Sequence, residues 1–541
     1  MELTPTLTPV MLRAPAIVIV VTMLILTLRL FYFSKGSPSR LGLDSLESLP
    51  TIGLRGQRFP FPWARATLSS LLKTKEWAIA GYQAHSESDQ PFILPSLDRG
   101  PVVILPLKQV KPTYGLPETI VDAHNTQNET IQTKWTIWDQ EIAENSKLHI
   151  NVIRNQMTRN LGHLVPVLAG EIAFALKRSW GAGTQWKELV IWDSCLEMIA
   201  GAGNAAFCGY PLCRDAQFLE GVKQHGLSVF AGATVINAAP KPFKHLVGGA
   251  VRLLCYYYSQ RAARRCLPLV KERLEHTARL RLDTAYPWDP PKDALQWIID
   301  ECYTSGQPQQ LAPERVAQRL LLLNVISLHS TSFTLQNVIL DLASTDPSAG
   351  VIDALREECR SVLQESGSSS WTYEAVKKLR LVDSAVRESM RLTPFANVGL
   401  PRTVVHPDGV LLQESSNIRL PQGTMLALPL GPIQRDAALY PDPEVFDVSR
   451  FARGHKPRSA LALDEGFLGF GFGQHACPGR FFALNEVKLV VAQMLLHYDI
   501  EHIPKRPASV PIMWLNYPAP NATVRVRRRR EAVGDEMEMG G

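Results

Sequence analysis

The stretch from Glu314 to Ser344 contains neither glycine nor proline, so no residue in it interrupts a helix. A helix over these residues would be roughly 46 Å long, enough to cross a large domain. Apolar residues recur at helical spacing elsewhere, in segments 74–85, 149–176, 188–207 and 250–280. With 541 residues, 45% of them apolar, the chain can bury a large core around such a helix.

Strand patterns are short and lie mostly in the second half of the chain. β-Branched residues bounded by turn residues occur in segments 102–107, 401–413 and 424–430. The C-terminal segment 509–529 could form a hairpin. These patterns predict a mainly α fold (α+β), a large helical domain with a small β-rich region.

The N-terminus carries an apolar segment that predicts a membrane anchor. Residues 14–28 hold no charge, and "LFYF" resumes the apolar character after Arg29. No small-x-small cleavage site follows, which disfavours a signal peptide. The cations on its C-terminal flank favour a large domain in the cytosol. We therefore expect an anchor over residues 1–35, a Gly/Ser/Pro-rich linker over 36–66 and one domain over 67–541, at the endoplasmic reticulum membrane.

The charge and cysteine patterns exclude several classes of protein. Lys and Arg number 57 against 51 Asp and Glu, and the arginine run at 525–530 has no interleaved aromatic residues. It therefore gives no nucleic-acid signal, and indicates a strand end at the surface or contact with anionic lipid. Eight cysteines at irregular spacing indicate neither a disulfide framework nor a C-x-x-C metal site.

One cysteine, Cys477 in "FGFGQHACPGRFFA", stands in a specialised setting. Glycines before it allow an irregular backbone to approach a flat ligand, and Pro478 suits the first turn of a helix. A helix N-terminus would lower the pKa of the thiol and stabilise the thiolate, which binds metals. An inert buried cysteine, or a nucleophile with His475 as its base, are the alternatives.

The pattern Phe470-x-x-Gly473-x-His475-x-Cys477-x-Gly479 resembles the haem-binding signature of the cytochrome P450 superfamily. The resemblance implies haem b with Cys477 as the axial ligand of the iron, and the other four residues at the cofactor. His475 stands where arginine is more frequent in the family. The variant "GQHACPGRFFA" is similar to fungal members that oxidise terpenoids and other secondary metabolites.

A second family pattern lies upstream, where Glu388-x-x-Arg391 falls on a predicted helix. In the family, such a pair is completed by a later arginine in a buried network, and Arg450 stands at that spacing. The alternative is an exposed ion pair, since positions i and i+3 share a helix face.

The resemblance also implies further haem and substrate contacts. Arg402 is similar to a propionate-binding arginine, the alternative being a surface salt bridge. His149 and Arg154 replace the family's Trp-x-x-x-Arg helix as possible propionate contacts. The segment over the haem would line the substrate pocket with Phe395, Ala396, Val398, Gly399 and Leu400.

The centre of the long helix departs from the family pattern. His329 and Ser330 stand where an acid and a threonine normally relay protons to dioxygen. Histidine can shuttle protons near neutral pH, and serine can hydrogen-bond to oxygen. Alternatively, His329 is a core residue, and Ser330 hydrogen-bonds to its own helix. A shift by one residue would make Thr331 the oxygen-facing group.

The resemblance implies a monooxygenase that inserts one atom of O2 into a lipophilic small molecule, a fungal terpenoid, polyketide or alkaloid. The chain shows no dinucleotide-binding motif, so electrons should come from a membrane-bound NADPH–cytochrome P450 reductase. Two alternatives remain: a haem-thiolate isomerase or dehydratase without external electrons, and a non-catalytic haem-binding protein.

Overall fold

The computed structural model describes residues 46, 48–54, 62–144, 147–367, 370–412, 418–453 and 458–530. These residues group into two compact units. The first comprises the chain up to residue 136 together with 230–253 and 400–429, and the second comprises 137–229, 254–399 and the chain from 430 onward. The single domain expected over 67–541 stays a prediction.

The first unit contains a five-stranded sheet and short helices. The elements of this unit are α1 (Pro62–Ala84), β1 (Phe92–Ser96), β2 (Gly100–Ile104), α2 (Val110–Tyr114), β3 (Val121–Asp122), α3 (His124–Ile131), α4 (Thr133–Thr136), β5 (Gly399–Val404), β6 (Val410–Leu411), β7 (Arg419–Leu420) and β8 (Met425–Leu428). The strands of the sheet run in the order β1-β2-β8-β5-β3, and β6 and β7 form a separate antiparallel pair.

Close packing of α1 against β1 depends on a glycine. A Cβ atom built on Gly81 would lie 2.3 Å from the ring of Phe92, which is fully buried in β1. The parallel pairing of β2 with β8 is also fully buried, with Ile104 opposite Ala427. The core of this unit therefore lies between the sheet and α1.

The second unit is mainly helical. Val152–Met157 form a π-helix directly after Asn151. The elements are α5 (Gln140–Glu144), α6 (Lys147–Asn151), α7 (Leu161–Trp180), β4 (Lys187–Val190), α8 (Ile191–Phe207), α9 (Ala216–Ala238), α10 (Lys244–Leu282), α11 (Ala294–Thr304), α12 (Pro313–Ala343), α13 (Val351–Glu365), α14 (Tyr373–Lys378), α15 (Arg380–Leu392), α16 (Leu430–Ile433), α17 (Arg480–His497), β9 (Tyr498–Ile500), β10 (Val510–Ile512), β11 (Leu515–Tyr517) and β12 (Thr523–Arg528). Part of α9 and part of α10 belong to the first unit.

The long helix α12 lies at the centre of this unit's core. Its buried residues join one contiguous apolar cluster with those of α7, α8, α15 and α17. The predicted span, Glu314 to Ser344, differs from the observed helix by one residue at each end. Pro313 occupies the first turn, where the missing N–H costs no hydrogen bond.

The N-terminal predictions are tested only in part. The predicted anchor, residues 1–35, lies outside the described residues. In the described part of the chain, no helix combines the length and apolarity needed to cross a bilayer. Helix α1 begins at Pro62, within the expected linker 36–66. Proline is favoured at the first position of a helix, because its missing N–H costs no hydrogen bond there.

Three predictions of strands and helices differ in detail from the structure. Segment 401–413 divides into β5 and β6, separated by a turn at Gly409 with φ +71°. Residues 188–190, expected to be helical, form the end of β4. The C-terminal hairpin is β10–β11, whereas β12 pairs with β4 and β9. These partners are distant in sequence, so local patterns could not reveal them.

Candidate functional site

The loop before Cys477 has the irregular backbone that its glycines predict. Gly471 and Gly473 adopt φ values of +80° and +63°, in the left-handed region that disfavours side chains. The Cys477 N–H donates to the carbonyl of Phe470 at 2.8 Å, which closes the loop. Helix α17 then begins at Arg480, slightly later than the predicted start at Pro478. The chain thus presents the cysteine at the entrance of a helix.

Cys477 differs from the other seven cysteines in its accessibility. It is exposed, while the other seven, all within the described residues, are buried. Surrounding protein still raises the pKa of its thiol by desolvation, and the N–H groups of Gly479 and Arg480 act in the opposite direction. The N–H groups at the helix N-terminus thus lower the pKa of the thiol as predicted, but burial is the larger cause and acts against them. The sulfur is enclosed on one side and open on the other.

Two arginines hold the loop from outside. Arg480 donates to the carbonyl of Cys477 at 2.8 Å, and Arg154, on the π-helix, donates to the carbonyl of Gln474 at 3.2 Å. Both line a cavity of about 200 Å³ together with the loop. Arg154, predicted as a propionate contact, thus contacts the loop itself. His149 is buried on α6, while Phe470 is half-buried, and Gly473 and His475 are exposed.

The structure brings the predicted charged network together. Arg391 forms a bidentate pair with Glu388, with both N···O distances 2.8 Å, and Arg450 reaches the same carboxylate at 2.9 Å. The side chains of Glu388 and Arg391 are fully buried. The alternative of an exposed ion pair is therefore wrong. Ion pairing and hydrogen bonds offset the desolvation of these charges.

The network reaches beyond its own charges to backbone carbonyls. Arg391 donates to the carbonyls of Gln434 and Pro443, at 2.8 and 2.7 Å, and Arg450 to that of Pro441 at 2.6 Å. The Gln434 side chain in turn accepts from the N–H of Leu468, just before the Cys477 loop. Helix α15 is thereby connected to the base of that loop. No sequence pattern had singled out Gln434.

One face of α12 remains accessible at its centre. The accessible residues follow helical spacing and are Ile326, Ser327, His329, Ser330 and Thr334. Thr331 is only 5% exposed, and the alternative that makes it the oxygen-facing hydroxyl stays a prediction. Ser330 makes long hydrogen bonds to the carbonyls of Ile326 and Ser327, at 3.4 and 3.3 Å. Its hydroxyl is thus accessible while bonded to its own helix.

The imidazole of His329 lies against neighbouring helices. Its Nε2 is 3.3 Å from the carbonyl of Lys223 on α9, and its ring stacks near Trp192 of α8. A Cβ atom on Gly226 would lie 2.8 Å from the same nitrogen. Desolvation lowers the pKa of His329, which favours the neutral ring. The side chain therefore fills the interface between α12 and α9.

The predicted substrate segment is only partly accessible. Phe395 is 40% exposed and packs edge-on against Phe333 of α12, with the ring centroids 5.5 Å apart. Val398 is fully buried and Gly399 is buried against Leu430, so both belong to the core rather than to an accessible pocket lining. Strand burial alternates, and sequence alone did not assign the faces.

Asparagines that sequence analysis missed hold this segment in place. The Asn516 amide donates to the carbonyl of Pro394 at 2.7 Å and accepts from the amide of Asn397 at 2.8 Å. Ala396 forms an isolated bridge with Leu515. The segment that carries Phe395 is therefore fixed by the strand β11, a contact that no local pattern could reveal.

Arg402 lies in the first unit and is 7% exposed. Its guanidinium donates to the carbonyl of Pro401 at 2.9 Å and lies over the ring of Tyr114, whose hydroxyl donates to the carbonyl of Leu400. Desolvation lowers the pKa of Arg402. The alternative of a surface salt bridge is wrong, because the side chain is buried. Leu400 has φ +55°, a strained value for a branched residue.

The chemistry of these residues fits a haem. The accessible sulfur of Cys477 supplies a soft ligand, and the exposed apolar side chains of Ile326 and Phe395 suit a flat apolar ring or a substrate. The role of Arg402, in the first unit, as a propionate contact stays a prediction. In the described residues, no cluster of three or more His, Cys, Asp or Glu side chains offers an alternative metal site.

Comparison with known proteins agrees with this chemistry. The Cytochrome P450 family profile matches residues 256–522. The cytochrome P450 monooxygenase okaG of Penicillium ochrochloron is 42% identical, over 89% of this chain and 94% of that protein. Cytochrome P450 monooxygenases gloP of Glarea lozoyensis and htyF of Aspergillus rugulosus are 30% and 31% identical, over 87% and 84% of this chain and 89% and 68% of those proteins. The chain belongs to the cytochrome P450 family and is a haem-thiolate protein.

Proposed function

We propose that this cytochrome P450 is a monooxygenase that transfers one atom of O2 to a lipophilic product of fungal secondary metabolism, with Cys477 as the axial thiolate of haem b. The observation that carries the assignment of the ligand is the exposure of Cys477 beside seven buried cysteines. Similarity to fungal proteins named as monooxygenases supports the reaction class.

The haem, when bound, supplies the oxidising chemistry, and its thiolate ligand favours cleavage of the O–O bond. The protein's own residues position the reactants. Ile326 and Phe395 present apolar surface to a lipophilic substrate and exclude water. Ser330 holds a hydroxyl proton at the accessible face of α12, from which it can be donated. His329 contributes by fixing α12 against α9.

The test of the ligand is the absorption spectrum of the reduced, CO-bound protein. We expect a strongly red-shifted Soret band for the wild type and its loss in Cys477→Ala. Cys359→Ala is the matched control, since Cys359 is buried in α13 and should leave the band in place. The same unshifted band in wild type and Cys477→Ala would exclude Cys477 as the ligand.

Electrons are proposed to come from an NADPH–cytochrome P450 reductase. In a reconstituted system under 18O2, a monooxygenase places one labelled atom in the product and consumes NADPH. Turnover without NADPH or label would instead indicate a haem-thiolate isomerase or dehydratase. Terpenoids, polyketides and alkaloids are the substrates to screen first, since Ile326 and Phe395 expose apolar side chains at the site.

We further propose that residues 1–35 anchor the protein in the endoplasmic reticulum membrane, with the remaining chain in the cytosol. The uncharged segment 14–28 and the cations that follow it support this orientation. Removal of residues 1–35 should shift the protein out of the membrane fraction after carbonate extraction. In intact microsomes, the catalytic domain should be sensitive to added protease.

A further inference from the structure

A second charged region lies at the three-stranded sheet of the second unit, far along the chain from the signature of Cys477. In β12, buried Val524 and Val526 alternate with exposed Arg525 and Arg527. Strand β12 pairs with β4 on one side and β9 on the other. The sheet therefore presents guanidinium groups on its outer face, at a place where the proposed oxygenase chemistry has no use for them.

These arginines surround a cavity rather than a flat surface. The cavity has a volume of about 420 Å³ and is lined by Thr184, Asp499, Arg527, Arg528, Arg529 and Arg530. Four of its six lining residues are cationic, and one is anionic. The backbone is fixed here, because the N–H groups of Arg528 and Arg529 donate to the carbonyls of Gly183 and His497.

One carboxylate near this cavity accepts hydrogen bonds from three guanidinium groups. Asp499 accepts from Arg527 and Arg529, each at 3.1 Å, and from Arg356 at 3.3 Å. Arg356 also pairs with Asp353 at 3.0 Å, so two carboxylates face these three guanidinium groups, while Arg528 and Arg530 add further positive charge at the cavity. Desolvation, followed by the nearby charge of Arg529, lowers the pKa of Arg356, whereas Asp499 and Asp353 act in the opposite direction.

We propose that this cavity binds a phosphate-bearing anion. Guanidinium groups match phosphate oxygens with paired hydrogen bonds, and an anion with several charges would relieve the repulsion around Asp499. Trp186 stabilises the arrangement, since Arg525 and Arg527 lie 5.8 and 4.6 Å from its ring centroid. The phosphate can belong to a soluble compound or to a lipid headgroup, because both offer the same oxygens to the arginines.

The test measures binding of inorganic pyrophosphate to the full-length haem protein by calorimetry at low ionic strength. We expect saturable binding at one site, weakened about tenfold or more in the double variant Arg527→Gln/Arg530→Gln. Asp499→Asn should instead tighten binding, because it removes the carboxylate that competes with phosphate. Loss of structure alone would weaken binding in both variants, so the opposite signs separate the two causes.

Arg279→Gln is the matched control, since Arg279 is an exposed arginine paired with Glu275 on another helix surface. It should leave pyrophosphate binding unchanged. An unchanged CO difference spectrum in every variant verifies folding and keeps the result independent of the oxygenase proposal. Equal pyrophosphate binding by wild type and the double arginine variant would overturn the site.

The source of the phosphate is tested with vesicles. Phosphatidylcholine vesicles with and without phosphatidic acid are mixed with the wild type and with Arg527→Gln/Arg530→Gln. A loss of binding in the variant that appears only with phosphatidic acid assigns the site to a lipid headgroup. Pyrophosphate binding without that vesicle difference assigns it to a soluble phosphate compound. The absence of both effects contradicts the proposal.

Discussion

The Cys477 loop with its charged network and the centre of α12 both belong to the second unit, but they are determined in different ways. In the first region, glycines with positive φ and the buried Glu388–Arg391 pair fix the backbone directly. In the second, the helix is regular, and only side-chain packing decides that Ser330 is accessible while Thr331 is buried. A position that needs an unusual backbone conformation can be recognised from its glycine in the sequence. Whether a side chain on a helix is buried or accessible depends on the neighbouring helices.

The two regions should therefore respond differently to substitution. Loss of a group in the charged network should affect folding, because buried charges would lose their partners. Changes at the accessible face of α12 should affect turnover or the packing of one helix pair. The following predictions test this contrast, from the largest expected effect to the smallest.

The largest effect is expected from Arg391→Leu. Removal of this guanidinium leaves the buried carboxylate of Glu388 with Arg450 as its remaining charged partner and frees the carbonyls of Gln434 and Pro443. We expect a loss of about 3–5 kcal/mol in the free energy of unfolding, measured by denaturant titration. Arg453→Gln, at a side chain that is 69% exposed, should change it by less than about 0.5 kcal/mol. Similar values for both variants would show that the network is not structural.

Ser330→Ala should affect the reaction rather than the fold. If its hydroxyl supplies a proton at the accessible face of α12, product formed per NADPH consumed should fall about 100-fold. Thr331→Val is the control, since Thr331 is buried and the replacement has nearly the same shape. Loss of product in Thr331→Val but not in Ser330→Ala would show that the hydroxyl of Thr331, and not that of Ser330, supplies the proton.

Acid should destabilise the protein through His225, which is buried on α9. Burial lowers the pKa of this histidine from 6.5 to about 4. Between these values the unfolded chain binds the proton and the folded chain does not, so the free energy of unfolding falls as pH falls. At pH 5 the loss attributable to His225 should be roughly 2 kcal/mol.

The difference between wild type and His225→Gln isolates this effect from other titrating groups. Unfolding is measured by denaturant titration at pH 7 and at pH 5 for both proteins. The stability of the wild type should fall more steeply than that of the variant. Identical pH dependence in the two proteins would contradict a neutral, buried His225.

The smallest effect is expected from Gly226→Ala. The added Cβ atom would lie 2.8 Å from Nε2 of His329. The energy needed to move the imidazole away exceeds the gain in helix propensity from glycine to alanine. We expect a net loss of about 1 kcal/mol in the free energy of unfolding. In a His329→Ala background the same change should stabilise by up to about 1 kcal/mol. The same sign in both backgrounds would show that His329 does not occupy this position.

Much of the fold and part of the site were predictable from sequence. The absence of Gly and Pro gave α12 to within one residue at each end, and the glycines around Cys477 predicted its loop. The resemblance to the cytochrome P450 pattern identified Glu388, Arg391 and Arg450. The helix, the loop and the Glu388–Arg391 pair depend on the backbone or on residues close together on one helix, whereas Arg450 joins the pair from a later segment.

The remaining features depend on contacts between distant segments. The direction of His329 follows from Gly226 and Trp192, and the burial of Val398 from which face of its segment meets the core. Strand β12 pairs with β4, far earlier in the chain. Local patterns carry no information about such partners, so they did not predict which residues between Phe395 and Leu400 are buried.

The network around Arg391 has a further consequence for how this protein can change over evolutionary time. Arg391 and Arg450 hold the segment after α16 by its carbonyls, those of Gln434, Pro441 and Pro443. Every amino acid has a carbonyl, so this attachment tolerates almost any side chain in the segment except that of Gln434, which makes hydrogen bonds of its own to Leu468 and Arg391. Variation can therefore accumulate there without loss of the connection to α15, while the three charged residues themselves have no such freedom.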